Sequence, residues 1–246
     1  MQHYFLNESL EIGKQVELPD EIKKHWIRVM RAKEEDAAEF VDDQQQLFLG
    51  ELINSEDGTV EILKQINKDV EMPINVTIAC GLSKNGKAEL IVQKATELGA
   101  HQIVFLPMDW SVAKWNQKAN KKIERLQKIA KSAAEQSHRN VIPNIKYLNK
   151  LEDLTDLNFT QKIVAYEESA KEGESSKLVQ VLHGLGNNDN LLALFGPEGG
   201  VSPEEIKKLS KSGFTKVGLG PRILRTETAP FYLLSAASVL SELKQV

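Results

Sequence analysis

The chain has one cysteine, Cys80, so it can build neither an internal disulfide framework nor a cysteine-rich zinc cluster. Long apolar runs are also missing. No stretch reaches the roughly 18 consecutive apolar residues of a membrane span. Met1 to Leu10 holds no basic segment followed by an apolar run, so no signal peptide is expected. The histidines, at 3, 25, 101, 138 and 183, are scattered, with no ligand pair at helical spacing. With 15 Gly and 8 Pro there is no room for collagen-like or disordered bulk. No G-x-x-x-x-G-K-[ST] occurs, so a P-loop is excluded, and no Ser-His-Asp or Cys-His arrangement has supporting context. These absences leave the expectation of a metal-free, cytoplasmic globular protein. Its 246 residues, 41% of them apolar, allow one large domain or two small ones.

Charge is spread unevenly. Residues 1–72 carry 8 Lys/Arg against 17 Asp/Glu, residues 73–150 carry 13 against 5, and residues 151–246 carry 10 against 13. The swing from −9 to +8 places a domain boundary at Met72–Pro73 and suggests a polyanion partner for the middle section. The other reading of Lys114–Lys131 is the solvated face of one helix.

The first section reads as strands over Gln2–Leu6, Lys14–Leu18, Leu47–Ile53 and Thr59–Ile66, with turn chemistry in Asn54-Ser55-Glu56-Asp57-Gly58. This predicts a small barrel or sandwich with one helix, which begins after Pro19-Asp20 and runs through Met30. On that helix His25, Arg28 and Arg31 are three apart, share a face and offer a phosphate contact. From Pro73 strands alternate with helices, which predicts a parallel sheet covered on both faces. The helices expected are Lys87–Leu98 (closed by Gly99), Asn120–His138, Ser176–Leu185, Ser202–Ser210 and Thr226–Leu243. The strands expected are Asn75–Ala79, His101–Leu106, Gln161–Tyr166, Asn190–Phe195 and Lys216–Leu219.

Two segments concentrate chemistry. In Leu194-Phe195-Gly196-Pro197-Glu198-Gly199-Gly200 an apolar strand runs into three glycines and a proline, where the backbone can approach a ligand closely. Ser202, Pro203 and Glu205 then form a helix start with a capping box. The second segment, Gly218-Leu219-Gly220-Pro221-Arg222-Ile223-Leu224-Arg225-Thr226-Glu227-Thr228, crowds two glycines, two arginines, a carboxylate and two hydroxyls before the last helix. Thr226 or Thr228 is expected to cap that helix.

These loops resemble those of the SPOUT methyltransferases. More closely, the chain is similar over its whole length to the bacterial 16S ribosomal RNA (uracil-N3)-methyltransferase family. The likeness rests on His25-x-x-Arg28-Val29-x-Arg31, Lys84, Gln93-Lys94-Ala95-Thr96-Glu97-Leu98-Gly99, Glu135-Gln136-Ser137-x-Arg139 and the two loops above. It departs where the basic N-terminal motif is usually followed by a Gly-Asp turn and this chain has Lys33-Glu34-Glu35-Asp36.

The resemblance implies an α/β chain with a PUA-like RNA-binding β-barrel over 1–72. Over 73–246 it implies a SPOUT methyltransferase domain with a trefoil knot. It further implies a homodimer, S-adenosylmethionine as cofactor, and 16S ribosomal RNA of the 30S subunit as partner. Leu194, Phe195, Gly196, Pro197, Glu198, Gly199 and Gly200 would face the cofactor from one loop. Gly218, Leu219, Gly220, Ile223, Leu224, Arg225 and Thr226 would do so from the other, with Ala165-Tyr166-Glu167 as a third side. Arg225 is expected to stabilise charge on the base, and Glu227 or Glu198 to accept the N3 proton. His25, Arg28, Arg31, Lys84, Lys87, Lys94 and Arg222 are expected to touch RNA. Arg139 is expected to clamp a phosphate or to reach the site from the partner subunit. No metal is required, because the leaving group is a neutral thioether. A non-catalytic RNA-binding dimer and a ribose 2′-O enzyme of the same superfamily stay open as alternatives.

Overall fold

The computed structural model describes residues 1–84, 86–166 and 177–243. It divides into two compact units. One is Met1–Glu71 with Ala134–Val141; the other is Met72–Ala133 with Ile142–Val246.

The N-terminal unit holds a five-stranded sheet in the order β1 (Gln2–Phe5), β3 (Ala37–Val41), β4 (Leu47–Asn54), β5 (Thr59–Ile66), β2 (Gln15–Glu17). Only β1 and β3 run parallel. Alternation sends Phe40, Leu52, Val60 and Ile62 into a core shared with Tyr4 and Trp26. The β4–β5 turn works as the sequence indicates. The Asn54 carboxamide oxygen accepts from the Glu56 amide at 2.9 Å, and Gly58 takes φ +76°. Strand β3 was not foreseen: its two alanines and the acids before it hide a strand whose Ala38 and Phe40 are buried. The strand order leaves β1 and β2 as the sheet's ends.

The expected helix is a single α turn, α1 (Asp20–Ile22), followed by a π-helical stretch, Lys23–Val29. Arg31 lies beyond it with φ +60°, so His25, Arg28 and Arg31 do not form the α-helical stripe that their spacing suggests. Arg28 and Arg31 are exposed. His25 Nδ1 lies 2.9 Å from the Tyr4 hydroxyl.

Arg139 corrects an expectation more sharply. It is buried at 4% exposure, and its guanidinium is paired with the Glu71 carboxylate. Glu71 Oε1 also accepts the amides of Asn140 and Val141 at 3.0 and 3.2 Å. A guanidinium held this way is a structural ion and not a phosphate clamp.

The second unit is a six-stranded, wholly parallel sheet. Its order is β11 (Thr215–Val217), β9 (Gln161–Ala165), β10 (Asn190–Phe195), β6 (Asn75–Gly81), β7 (Gln102–Leu106), β8 (Asn144–Tyr147). Helices cover both faces, so the central strands are nearly continuous apolar runs. On one face α2 (Lys87–Glu97), α3 (Ala119–Gln136), α5 (Lys177–His183) and α7 (Thr228–Glu242) pack on Ile78, Phe105, Leu191, Ala193 and Phe195. On the other, α4 (Leu151–Thr155) and α6 (Pro203–Lys211) pack on Val104, Leu192 and Leu194. Cys80 is fully buried in β6, and burial pushes its thiol up to about 12, so it is no nucleophile. Among the described residues no helix is long and apolar enough to cross a membrane.

Arg139→Ala is expected to cost about 3–5 kcal/mol, because it strands the Glu71 carboxylate. Urea unfolding checks this; a loss under 1 kcal/mol would mean the pair is dispensable.

Candidate functional site

The loops after β9, β10 and β11 all lie at the carboxyl ends of parallel strands, where α/β sheets bind ligands. They bound a cavity of about 590 Å³. From the β10 loop, Phe195, Gly196, Pro197, Glu198, Gly199 and Gly200 line it. From the β11 loop come Leu219, Gly220, Arg222, Ile223, Leu224, Arg225 and Thr226. Ala165 and Tyr166 supply the third side, and Glu167 lies outside the described residues.

Two expected lining residues are absent from it. Leu194 points to the opposite face of the sheet, with Leu192 and Ile206, because side chains alternate along β10. Gly218 is buried and does not line the cavity.

Glycine is needed at identifiable points. A Cβ on Gly81, at the end of β6, would stand 2.7 Å from the Pro197 nitrogen, so only glycine lets the β10 loop cross there. A Cβ on Gly196 would meet the Gly200 backbone at 2.6 Å, so a side chain there deforms the loop itself. Ser202 begins α6 with the full capping box to Glu205. The same Glu205 carboxylate, only 3% exposed, accepts the Asp109 amide at 2.9 Å. Ser202 Oγ donates to Asp109 Oδ2 at 2.5 Å. The β7 loop is thereby tied to the start of α6, and its Trp110 lines the cavity. Trp110 was missed in the sequence; an aromatic just past a predicted parallel strand was the available signal.

Lys87 is the electrostatic centre. Its Nζ lies 3.1 Å from Glu198 Oε1 and 3.1 Å from Glu227 Oε2. This corrects its expected role, since a lysine bridging two carboxylates is not a free phosphate contact. Glu198 Oε1 also accepts the Lys84 amide at 3.2 Å. Burial works against charge on both carboxylates, but their own backbone amides and Lys87 outweigh it and hold both below the usual carboxylate range. Burial likewise works against the Lys87 cation, and the two carboxylates outweigh it and hold the ammonium above its ordinary value. The contacts of Glu227 differ from those of Glu198. Its Oε2 is buried and close to Lys87 but lacks an aligned hydrogen bond. It occupies the N-cap of α7, where the helix dipole favours a negative charge.

Thr226 and Thr228 do not cap α7 with their side chains. The Arg225 carbonyl accepts the amides of Thr228 and Ala229 at 2.9 and 3.0 Å, which anchors its backbone and leaves its side chain exposed at the cavity. Arg222 is likewise exposed. Lys94 Nζ is held by Glu97 at 2.8 Å within α2. Lys84 is exposed and lines a second cavity of about 280 Å³ with Lys114, Lys122 and Arg125.

Removing the shared cation with Lys87→Met is expected to raise both carboxylates. Because their folded values are depressed, the pairing stabilises the fold fully above pH 4.5 and is lost as pH falls through the lowered values. The variant should therefore be less stable than wild type at neutral pH, with the gap closing in acid. Thermal unfolding across pH checks this; a gap independent of pH would contradict it.

Residues 70–238 match the family of the RNA methyltransferase domain. Ribosomal RNA small subunit methyltransferase E of Bacillus subtilis is 39% identical, over 99% of this chain and 98% of its own length. The same-named protein of Buchnera aphidicola from Acyrthosiphon pisum is 30% identical, over 96% of this chain and 92% of its own. A crystal structure of that methyltransferase from Neisseria gonorrhoeae, bound to S-adenosyl methionine, superposes with TM-score 0.85 at 29% identity, covering 98% of each chain. On the domain match and the end-to-end likeness to these relatives, the chain belongs to the RNA methyltransferases, in the family of the ribosomal RNA small subunit methyltransferases E.

Proposed function

We propose that the chain transfers a methyl group from S-adenosylmethionine to N3 of a uridine in 16S ribosomal RNA of the small subunit. The observation that carries this reading is the cavity itself: two glycine-lined loops beside a lysine-bridged carboxylate pair and an exposed arginine. At about 590 Å³ it lies within the range of small-molecule sites and suits a nucleoside-sized cofactor. The Gly196–Gly200 turn and Leu219–Thr226 would hold that cofactor through backbone groups and apolar walls. When bound, it supplies an electrophilic methyl on a sulfonium.

The chain's own residues do the rest. Uridine N3 carries a proton and lies on the pairing edge, so the base must be unpaired or flipped to reach the cavity. Arg225 presents a planar fork of donors to O2 or O4, where the charge of the deprotonated base collects. Glu198 is the better placed proton acceptor of the two carboxylates. It lines the cavity, whereas Glu227 Oε2 is buried against Lys87 at 3.1 Å and does not line it. Lys87 keeps both carboxylates charged and in place. Arg28, Arg31, Lys84 and Arg222 are exposed and free to set the RNA register through phosphates.

The same reading takes residues 1–72 as a PUA-like RNA-binding unit and 73–246 as the knotted SPOUT methyltransferase domain. Support for the knot is the placing of β10 between β6 and β9, both earlier in the chain. A homodimer is supported by α7, which leaves Tyr232 and Val239 exposed although the helix is apolar on most sides. Ile223 is a further exposed apolar residue, 77% exposed beside the cavity. The work would be cytoplasmic, where ribosomes assemble.

Arg225→Ala is expected to lower turnover by about 10²-fold or more while S-adenosylmethionine affinity stays within about tenfold, since the guanidinium acts on the developing charge. Single-turnover assays, calorimetry and mass spectrometry of nucleosides measure these together. Loss of N3-methyluridine from cells lacking the protein is required. Product on ribose 2′-O, or no cofactor binding at all, would reject the reading. Val239→Glu should convert the dimer to monomer in light scattering; a wild type that is already monomeric would reject the dimer.

A further inference from the structure

Three side chains far apart in the sequence meet inside the N-terminal unit. His3 on β1 is paired in register with Glu39 on β3, and His138 stands just past α3. Both histidines aim Nδ1 at one carboxylate oxygen, Glu39 Oε2, at 3.0 Å from His3 and 2.7 Å from His138. The two rings lie 5.1 Å apart.

The proton count at His3 is informative. Its Nε2 is 2.9 Å from the Arg139 carbonyl oxygen, which can only accept, so Nε2 carries a hydrogen. In a neutral ring Nδ1 then presents a bare lone pair to a carboxylate, which also only accepts. A positive charge must lie between them, either a proton or a metal ion. An imidazole whose far N–H is fixed by a backbone carbonyl while the near nitrogen is bare is the usual orientation of a metal-ligating histidine. The His3 side chain has no exposed surface and cannot turn away to solvent. His138 adopts φ +55°, uncommon for a non-glycine residue and the kind of local strain that gathers at functional sites. Its half-exposed ring gives an ion a way in and leaves room for water.

We propose that His3 Nδ1, Glu39 Oε2 and His138 Nδ1 bind one divalent transition-metal ion of the zinc class, with water completing the shell. Two imidazoles and one carboxylate suit zinc. Ligands on zinc arms of about 2.0–2.1 Å stand roughly 3.3 Å apart in a tetrahedron, so the present spacings must open by a few tenths of an ångström. His138, partly exposed and just past the end of α3, can supply that movement. The ion would join β1, β3 and the segment after α3, and methyl transfer does not depend on it.

The test uses the full chain, stripped with chelator and titrated with Zn²⁺ by calorimetry and thermal unfolding, with Co²⁺ absorption as a readout of ligand geometry. Expected are one saturable equivalent, a melting temperature raised on the order of 5 °C at a hundredfold excess over Kd, and Co²⁺ bands of a four-coordinate site. His3 packs within the sheet, so His3→Gln risks the fold; His138→Gln carries the test. That variant should keep its metal-free melting temperature within about 2 °C and lose at least tenfold in Zn²⁺ affinity. No saturable binding by the wild type would assign the bridging charge to a proton and overturn the proposal. Equal binding by wild type and His138→Gln would overturn it as well.

Discussion

Strand β10 is the constraint on which the catalytic unit depends. Its residues Leu191 to Phe195 are buried on both faces of the sheet and hydrogen-bonded to strands on both sides, β6 and β9. An apolar strand in that position fixes the register of its neighbours, and all three strands then end at one edge. The turn after β10 is the first wall of the cavity, and the turns after β9 and β11 are the others. Displacing β10 would separate two cores at once, because alternate side chains feed the clusters on opposite faces.

On that frame sits an electrostatic arrangement of few parts. One ammonium, Lys87, bridges two carboxylates from different loops, and an exposed guanidinium, Arg225, stands near the same opening. The balance matters more than any single pair. With the lysine in place, neither carboxylate is driven to take up a proton from water, and the arginine is left to face whatever negative charge enters. Glu205 plays a parallel role in the scaffold. It caps α6 and grips the Asp109 amide, so the helix start and the Trp110 loop are positioned by one carboxylate.

Much of the second unit was legible because its signals are local. The run Leu191–Phe195, the glycines after it and the Ser202 capping box lie within a few residues of one another, and each specifies its own geometry. What failed to show was non-local. Lys87 and Lys94 read alike as basic residues on one helix; only the fold sets the first between Glu198 and Glu227 and the second against Glu97. Arg139 read as a ligand contact because its burial against Glu71 is decided by packing. Histidines 3 and 138 looked scattered because β-pairing and a helix end, not helical spacing, bring them to Glu39. Local misreadings had physical causes too. The two alanines of β3 disguised a strand, and a π-helical stretch replaced the regular helix that the spacing of Arg28 and Arg31 assumed.

The sheet order also governs when the molecule becomes competent during synthesis. Strand β9 leaves the ribosome before both of its neighbours, β10 and β11, and β6 before one of its two, so the place of β10 is unfilled until residues 190–195 arrive; most of the cavity is written in residues 195–229. Non-local parallel pairing of this kind closes slowly. Completion and competence then coincide, so a chain interrupted before residue 190 has no rudimentary pocket to fill.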